Sequence, residues 1–444
     1  MKRTLAALAV IAVIAAACTA GGGGTGPKTV NPSGSHTPVK LTIWGQWTGR
    51  EFQEFNQIFK GFTAKYPWIT VDSIPGIGDP KALAAINAGT PPDAILSFGV
   101  DNVGKFCSTG AWIDLKPYIE GPDGIDMSQF PAPALQYTAF NGVQCSLPFM
   151  TDTFGFYYNK DMFAKAGITS PPKTTTELMD DAKKLTVRNP DGSIKVAGFV
   201  PWTAGYYCCG FNVLTMATIW NAQWYDSNGK AAFASDPHWT AAFQWQKQLV
   251  DFYGADNLAK FVAGSADEFG SSEDFEIGRT AMMIDGEWRN AFIKDAAPTL
   301  NYDTAPYPMA DDNQAKYGSG LSGGTVIGIP RGSSHEAEAW LLIKYMATDT
   351  ATLVYMANTV NNVPTTLDSL NSPDLVATPQ FQVFLDIFQN PNSTYKPGTK
   401  IGIQDQNILS GFADKWETGD IPDLSAGLQA AAQDVDNAVL QAGP

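Results

Sequence analysis

The sequence predicts an α/β protein with two lobes, each built on a mainly parallel sheet flanked by helices. Its 444 residues are enough for two separate cores. Strand and helix patterns alternate both before and after one aromatic stretch, residues 147–161, whose side chains alternate with a period of two. Alternation of strands with helices favours parallel sheets. We therefore predict that this stretch is the strand on which the chain first crosses from one lobe to the other.

Five elements are predicted for the first lobe. They are a strand over residues 39–44, a helix over 48–66, a strand over 69–71, a helix over 81–88 and a strand with its entry loop over 90–97. The first helix is the clearest of these, because its phenylalanines recur at spacings of three and four residues. This order of strands and helices predicts a doubly wound lobe.

A further set of elements is predicted after the crossing. In chain order they are helix 174–186, strand 197–201, helices 211–222 and 237–253, a helical stretch 269–279, strand 281–284, strand 323–330 and helix 336–346. Glu177 is in reach of the Thr-rich start of the first of these helices, which indicates a capping box. No internal repeat is visible.

The amino terminus indicates export. A basic start is followed by an apolar run over residues 5–17, too short to span a bilayer and typical of a signal peptide. The small residues before Cys18 resemble the lipobox of bacterial lipoproteins, which implies a signal peptide over 1–17 and a lipidated Cys18. Residues 18–38 are then a flexible tether rich in Gly, Ser, Thr and Pro. We expect a monomer held by its lipid at the outer face of the cell membrane.

Composition and spacing exclude several classes of function. The net charge of −15, or −17 after loss of Lys2 and Arg3 with the signal peptide, argues against nucleic-acid binding. The three histidines lie far apart, so no metal site and no cofactor are expected. Residues 318–323 fit G-x-G-x-x-G, but a strand follows that segment where a dinucleotide fingerprint needs a helix.

Several motifs together resemble the family 1 extracellular solute-binding proteins, the sugar-capturing components of ABC importers. They are Tyr-Asn-Lys-Asp-Met-Phe-Ala-Lys-Ala-Gly-Ile over residues 158–168, Gly-Arg-Thr-Ala-Met-Met-Ile-Asp-Gly-Glu-Trp over 278–288, Trp-Gly-Gln-Trp-Thr-Gly over 44–49 and Ala-Gly-Thr-Pro-Pro-Asp-Ala-Ile over 88–95. The resemblance implies a hinge-linked periplasmic-binding-protein fold, an oligosaccharide ligand and an ABC importer permease as partner. It assigns residues 39–150 plus 305–348 to the first lobe, and 151–304 plus 349–444 to the second.

A sugar site needs carboxylates, amides or backbone groups for the hydroxyls and aromatic faces for the rings. Such residues are expected in loops at strand ends that face the interlobe cleft. The candidates are Gln46, Trp47, Phe98, Asp101, Thr151, Asp152, Trp202, Tyr206, Tyr207, Glu287, Trp288, Gly324, Thr325 and Asn362. The resemblance implies that Trp288 stacks on the ligand with an exposed ring face. Asp152 is predicted to face the ligand from the hinge, with capping of backbone amides as the alternative.

Four cysteines remain beyond the lipidated one. Cys107 and Cys145 both precede the crossing and are predicted to form a disulfide, with two unpaired buried thiols as the alternative. The adjacent Cys208 and Cys209 could form a strained vicinal disulfide or stay reduced, and the sequence leaves both possibilities open.

Two other functions stay open at this point. A surface glycosidase would need a carboxylate pair of suitable separation, for which Asp285 and Glu287 are the candidates. Binding of a polyamine or other cationic solute on the same fold is favoured by the negative charge and the aromatic residues. The sequence does not specify the sugar, its length or its linkage.

Overall fold

A computed structural model describes residues 29–31, 34–201 and 210–443. The signal peptide over 1–17, Cys18, most of the tether, Trp202, Tyr206, Tyr207, Cys208 and Cys209 lie outside the described residues. Within the described part, no helix is long and apolar enough to cross a membrane, and no group of His, Cys, Asp and Glu side chains could hold a metal ion.

The described residues form eleven strands and seventeen helices. The strands are β1 Val39–Trp44, β2 Ile69–Ile74, β3 Ala94–Ser97, β4 Leu147–Thr151, β5 Phe154–Asn159, β6 Val187–Arg188, β7 Ile194–Phe199, β8 Thr280–Gly286, β9 Tyr302–Ala305, β10 Thr325–Gly328 and β11 Val363–Pro364. The helices are α1 Gly49–Lys65, α2 Asp79–Asn87, α3 Val103–Ser108, α4 Lys116–Ile119, α5 Ala132–Leu135, α6 Lys160–Ala166, α7 Thr175–Leu185, α8 Val213–Ile219, α9 Pro237–Tyr253, α10 Ala255–Ala263, α11 Arg289–Ala296, α12 Glu336–Thr348, α13 Thr350–Val360, α14 Leu367–Leu370, α15 Pro379–Gln389, α16 Gln404–Thr418 and α17 Leu424–Gln441.

The first lobe is built on a six-stranded sheet in the order β11-β4-β10-β3-β1-β2. β1 lies parallel to β2 and β3, whereas β10 lies antiparallel to β3 and β4. The chain therefore returns to this sheet after residue 300, and the prediction that the 323–330 strand pairs with strands from before residue 150 is confirmed. Helices α1, α12 and α13 cover the sheet with a core that includes Phe55, Phe62 and Met356.

The second lobe is built on a five-stranded sheet in the order β6-β7-β8-β5-β9. Only β7 and β8 pair in parallel, while β5 lies antiparallel to β8 and β9. Its core includes aromatic rings from α8 and α9, such as Trp220 and Trp245, and from α16, such as Phe412. The capping box at the start of α7 is present, with Thr174 and Glu177 bonding reciprocally.

The expectation of mainly parallel sheets is wrong, because both sheets are mixed. A parallel neighbour needs a crossover helix on the same sheet. β5 and β10 enter their sheets directly from the other lobe, without such a helix, and both lie antiparallel to their neighbours. The α/β class and the two lobes are as predicted.

The aromatic stretch 147–161 is two strands, not one. β4 ends at Thr151 in the first sheet and β5 starts at Phe154 in the second. Only Asp152 and Thr153 lie between them, so these two residues form the first crossing between the lobes. A second crossing leads through residues 321–324 into β10, and a third follows β11 and α14 to α15.

The expected division of the chain needs correction in two places. β9 and the residues immediately after it join the second lobe, where Tyr307 and Met309 enter the core. Helix α13 and β11 join the first lobe instead of the second, because Tyr355 packs on the first core and Val363 pairs with Thr151. The sequence does not show which lobe an amphipathic helix covers.

Two local predictions differ in outcome. Residues 269–279 form turns and not a helix, while helix Ala255–Ala263 was missed. The prediction of a disulfide is confirmed, since Cys107 in α3 is bonded to Cys145 with a Cα–Cα distance of 5.4 Å. The bond ties α3 to the segment that leads into β4.

Candidate functional site

A cavity of about 200 Å³ lies between the two lobes. Both lobes and the first crossing contribute to its wall. The lining residues are Trp47, Glu51, Phe98, Asp152, Phe154, Asn212, Leu214, Phe269, Trp288, Thr325, Asn362 and Gln406. Six of the predicted candidates are therefore brought together here: Trp47, Phe98, Asp152, Trp288, Thr325 and Asn362.

The wall on the first lobe is aromatic. The ring of Trp47 lies 5.6 Å from that of Phe98 and packs edge-on against Phe55 and Phe149. The candidate Gln46 does not line the cavity, but its Oε1 accepts a 3.0 Å hydrogen bond from the backbone N–H of Phe98. Gln46 therefore holds the loop that presents Phe98.

The wall on the second lobe is built around Trp288. A Cβ on Gly286 would lie 2.0 Å from the Trp288 ring, so the ring lies flat on a glycine that no other residue could replace without moving it. Phe154 packs edge-on against the same ring at 5.5 Å. The position of Trp288 at the cleft is as predicted, but the expected exposed ring face is not seen, since only 9 % of the residue is exposed.

Asn362 joins the crossings to the second lobe. Its Nδ2 donates to Asp152 Oδ1 at 2.7 Å and to Glu287 Oε1 at 3.0 Å. The other Glu287 oxygen accepts from the backbone N–H of Thr153 at 2.6 Å. Glu287 is fully buried behind the cavity wall, so it positions the crossing, while Asp152 and Asn362 face the cavity.

The carboxyl groups of Asp152, Glu51 and Glu287 have raised pKa values. Burial, then the nearby Glu51 carboxylate, raises the pKa of Asp152 to about 7, although the Asn362 hydrogen bond opposes the shift. Burial raises the pKa of Glu51 to about 7 as well. Burial, followed by repulsion from Asp152, raises the pKa of Glu287 well above its usual range. A ligand can therefore change the ionisation of Asp152 and Glu51 near neutral pH.

Three other candidates do not line the cavity. Thr151 is buried and its hydroxyl bonds to that of Tyr137 at 2.9 Å. Gly324 has a φ of +147°, and a Cβ there would lie 2.4 Å from the carbonyl oxygen of Met150, so it permits close approach of two crossings. Asp101 is turned away, towards Lys396. Their position near the ends of strands predicted the right region but not the direction of the side chains.

Six lining residues are not among the predicted candidates, namely Glu51, Phe154, Asn212, Leu214, Phe269 and Gln406. Glu51 and Gln406 lie in the first turns of α1 and α16, and Asn212 caps α8. Helix starts at the carboxyl ends of strands are a general signal for such a site. The sequence does not reveal which of many helix starts face the cleft.

The two lobes also touch outside the cavity. Arg50 of α1 bonds to Asp295 of α11 and donates to the carbonyl of Thr359 at 2.6 Å. Lys396 lies between Asp101 of the first lobe, at 3.6 Å, and Asp405 at the start of α16, at 2.9 Å. These contacts hold the lobes together around the cavity.

The pair proposed for a glycosidase does not face the cavity. Asp285 is fully buried and accepts from Arg289 Nε at 2.7 Å. Arg289 also pairs with Glu276 at 3.0 Å. Glu287 points to the crossing, so the two carboxylates do not flank a common space.

Residues 46–352 match the family model described as bacterial extracellular solute-binding protein. The match covers more than half of the chain. The chain belongs to this family. Both the cavity between two lobes and the three crossings agree with such a solute-binding protein.

Several curated relatives of this solute-binding protein are named as sugar-binding proteins. It is 24 % identical over 344 residues to the maltotriose-binding protein of Pyrococcus abyssi, covering 77 % of this chain and 69 % of that one. It is 25 % identical to the maltodextrin-binding protein MdxE of Bacillus subtilis, covering 80 % and 79 %. Among solved structures, CpMnBP1 with mannotriose bound matches with a TM-score of 0.80 and 28 % identity, over 89 % of this chain and 99 % of that chain.

Proposed function

We propose that this chain captures an oligosaccharide in the interlobe cavity and delivers it to the permease of an ABC importer. The observation that carries the proposal is the cavity itself. Trp47, Phe98 and Asn362 face it from the first lobe, Trp288 from the second, and Asp152 from the first crossing. Aromatic faces suit the apolar faces of sugar rings, and carboxylate and amide groups suit their hydroxyls.

Binding of the ligand is coupled to closure of the two lobes, because neither lobe has the whole site. A ligand seated on one lobe alone would lose half of its contacts, so it binds the closed arrangement better and shifts the population towards it. The crossings at residues 152–153, 321–324 and 376–378 would act as the hinge. The closed form would then dock on the permease, and no bond in the ligand changes.

The division into lobes and the anchor are part of this proposal. We assign residues 39–151 and 325–375 to the first lobe, and 154–320 and 379–443 to the second. A lipid on Cys18, with residues 19–38 as tether, would keep the protein at the outer face of the cell membrane and close to its permease. The tether would let both lobes move freely.

The proposal is tested by isothermal titration calorimetry with the purified full chain and a panel of neutral oligosaccharides. Mannobiose, mannotriose, maltotriose and maltotetraose are suitable members. We expect saturable binding at one site for at least one of them, weakened about 5- to 150-fold in Trp288→Ala. Trp416→Ala is a matched control, because Trp416 packs on the second core away from the cavity. Absence of binding across a broad oligosaccharide panel would overturn the proposal.

A further inference from the structure

The described lining of the cavity carries two carboxyl groups and no cationic side chain. Glu51 and Asp152 both contribute to the wall, and none of the described lining residues is Lys or Arg. Glu287 lies directly behind Asp152, joined to it through Asn362. Buried charges in proteins are normally paired, because desolvation of an isolated charge is costly.

Arg50 and Arg289 act on Glu51 electrostatically and lower its pKa against the effect of burial, but both arginines are bound to other groups. Arg50 bonds to Asp295 and to the carbonyl of Thr359. Arg289 pairs with Asp285 and Glu276 and is fully buried. A neutral occupant would therefore leave the carboxyl groups of the wall without a cation in direct contact.

Two polar atoms of the wall also lack a hydrogen-bond partner among the described residues. Asn362 Oδ1 and Trp288 Nε1 are buried without a hydrogen-bond partner among the described residues. Both side chains line the cavity, and Asn362 is 3 % exposed. One of these atoms is an acceptor and the other a donor, so the occupant must offer both kinds of group, as hydroxyls do.

The aromatic walls suit a cation as well as a sugar ring. Trp47 and Phe98 on one side, and Phe154, Phe269 and Trp288 on the other, line the same space. A cation near a tryptophan or phenylalanine face is attracted by the ring quadrupole, most strongly when it is desolvated. A ligand that combines hydroxyl groups with one protonated nitrogen satisfies every feature of the wall.

We infer that the preferred occupant is a carbohydrate that carries a protonated amine, such as an amino-sugar unit of an oligosaccharide. Its ammonium group would lie between Glu51 of α1 and Asp152 of the first crossing. The inference rests on the proposed function, because it names the class of sugar at the same site. The raised pKa values of both carboxyl groups agree with it, since a cation would restore their ionised forms.

Matched pairs of ligands test the inference. Glucosamine with glucose, mannosamine with mannose, and fully deacetylated chitotriose with cellotriose differ only at C2, where an ammonium replaces a hydroxyl. Calorimetry at neutral pH should give at least one pair in which the amine binds about 10-fold tighter or more. In Glu51→Gln this ratio should fall towards one, whereas Glu54→Gln, one turn further along α1 and outside the cavity lining, should retain it.

Each other outcome has a defined meaning. If neutral oligosaccharides bind and no amine exceeds its neutral partner, the inference is refuted while the proposed function stands. If spermidine binds more tightly than every sugar, the carbohydrate part of the inference is wrong. If no sugar binds at all, the proposed function itself fails.

Discussion

Replacing Lys396 with Met should destabilise the protein strongly, because this side chain joins the lobes inside a buried ionic cluster. Its Nζ lies 2.9 Å from Asp405 and 3.6 Å from Asp101, and the Asp405 carboxylate also bonds to the hydroxyl of Tyr225. The side chain of Lys396 is only 2 % exposed and that of Asp405 is not exposed at all. The Trp224 ring covers the ammonium group at 5.2 Å.

The magnitude follows from what the substitution leaves behind. Lys396→Met keeps an unbranched apolar stem but removes the ammonium group, and so leaves two carboxylates facing each other in a buried space. Removal of one partner from a buried ion pair typically costs about 3–5 kcal/mol. By contrast, the Lys40–Asp72 pair is 67 % and 45 % exposed, so Lys40→Met should cost less than about 1 kcal/mol.

The cost should also depend on pH. Burial raises the pKa of Asp101, and Lys396 is the strongest influence that opposes this shift. Without Lys396 the folded pKa of Asp101 rises further, so folding takes up a proton over a wider pH range. The free energy of unfolding then falls as pH increases, and the deficit of the variant should be larger at pH 8 than at pH 5.

Urea unfolding, followed by tryptophan fluorescence at both pH values, measures these free energies. Lys396→Met should show a lower midpoint of unfolding with a similar slope, and Lys40→Met should unfold close to the wild type. A loss below about 1 kcal/mol at pH 8, or equal losses for the two variants, would refute the reasoning that a buried cation holds the lobes together.

Three further predictions concern the site and the second lobe. Gly286→Ala should push the Trp288 ring out of place and weaken sugar binding in calorimetry by about 10-fold or more, with the fold retained by circular dichroism; wild-type affinity would contradict the stacking. Asp152→Asn should lose affinity while the melting temperature without ligand stays near wild type; an early-melting variant with normal affinity would show a structural role. Burial, reinforced by Asp414, raises the pKa of Glu417 to about 9, so the wild type loses stability as pH rises from about 4.5 to 9. Glu417→Gln removes this loss and should unfold at higher urea than wild type at pH 8; an unchanged midpoint would contradict it.

The sequence predicted the elements well where the apolar period was regular. The predicted bounds of β1 and α9 coincide with those in the structure, because each has a clear strand or helix period between strong boundaries. Residues 269–279 failed as a helix, and they form successive turns in which Phe275 is buried while Phe269 and Ile277 are exposed. Strand direction also failed, because it depends on the side from which a strand enters its sheet.

The candidate site was also predicted only in part. Trp47, Asp152 and Trp288 lie where strands end or cross, and that position alone brings them to the cleft. Asp101 lies equally close to a strand end, but it pairs with a lysine almost 300 residues away in sequence. Contacts of this kind exist only once the lobes are assembled, so no local pattern could have distinguished Asp101 from a ligand-binding residue.

A crystal structure of the protein soaked or grown with the tightest-binding oligosaccharide tests the central claim most directly. We expect density for a sugar ring against Trp288, with hydroxyl or amine groups within about 3 Å of Asp152 and Asn362 and further contacts from Trp47 of the opposite lobe. Sugar bound on one lobe only, or at a surface away from these residues while the cavity holds none, would contradict the account.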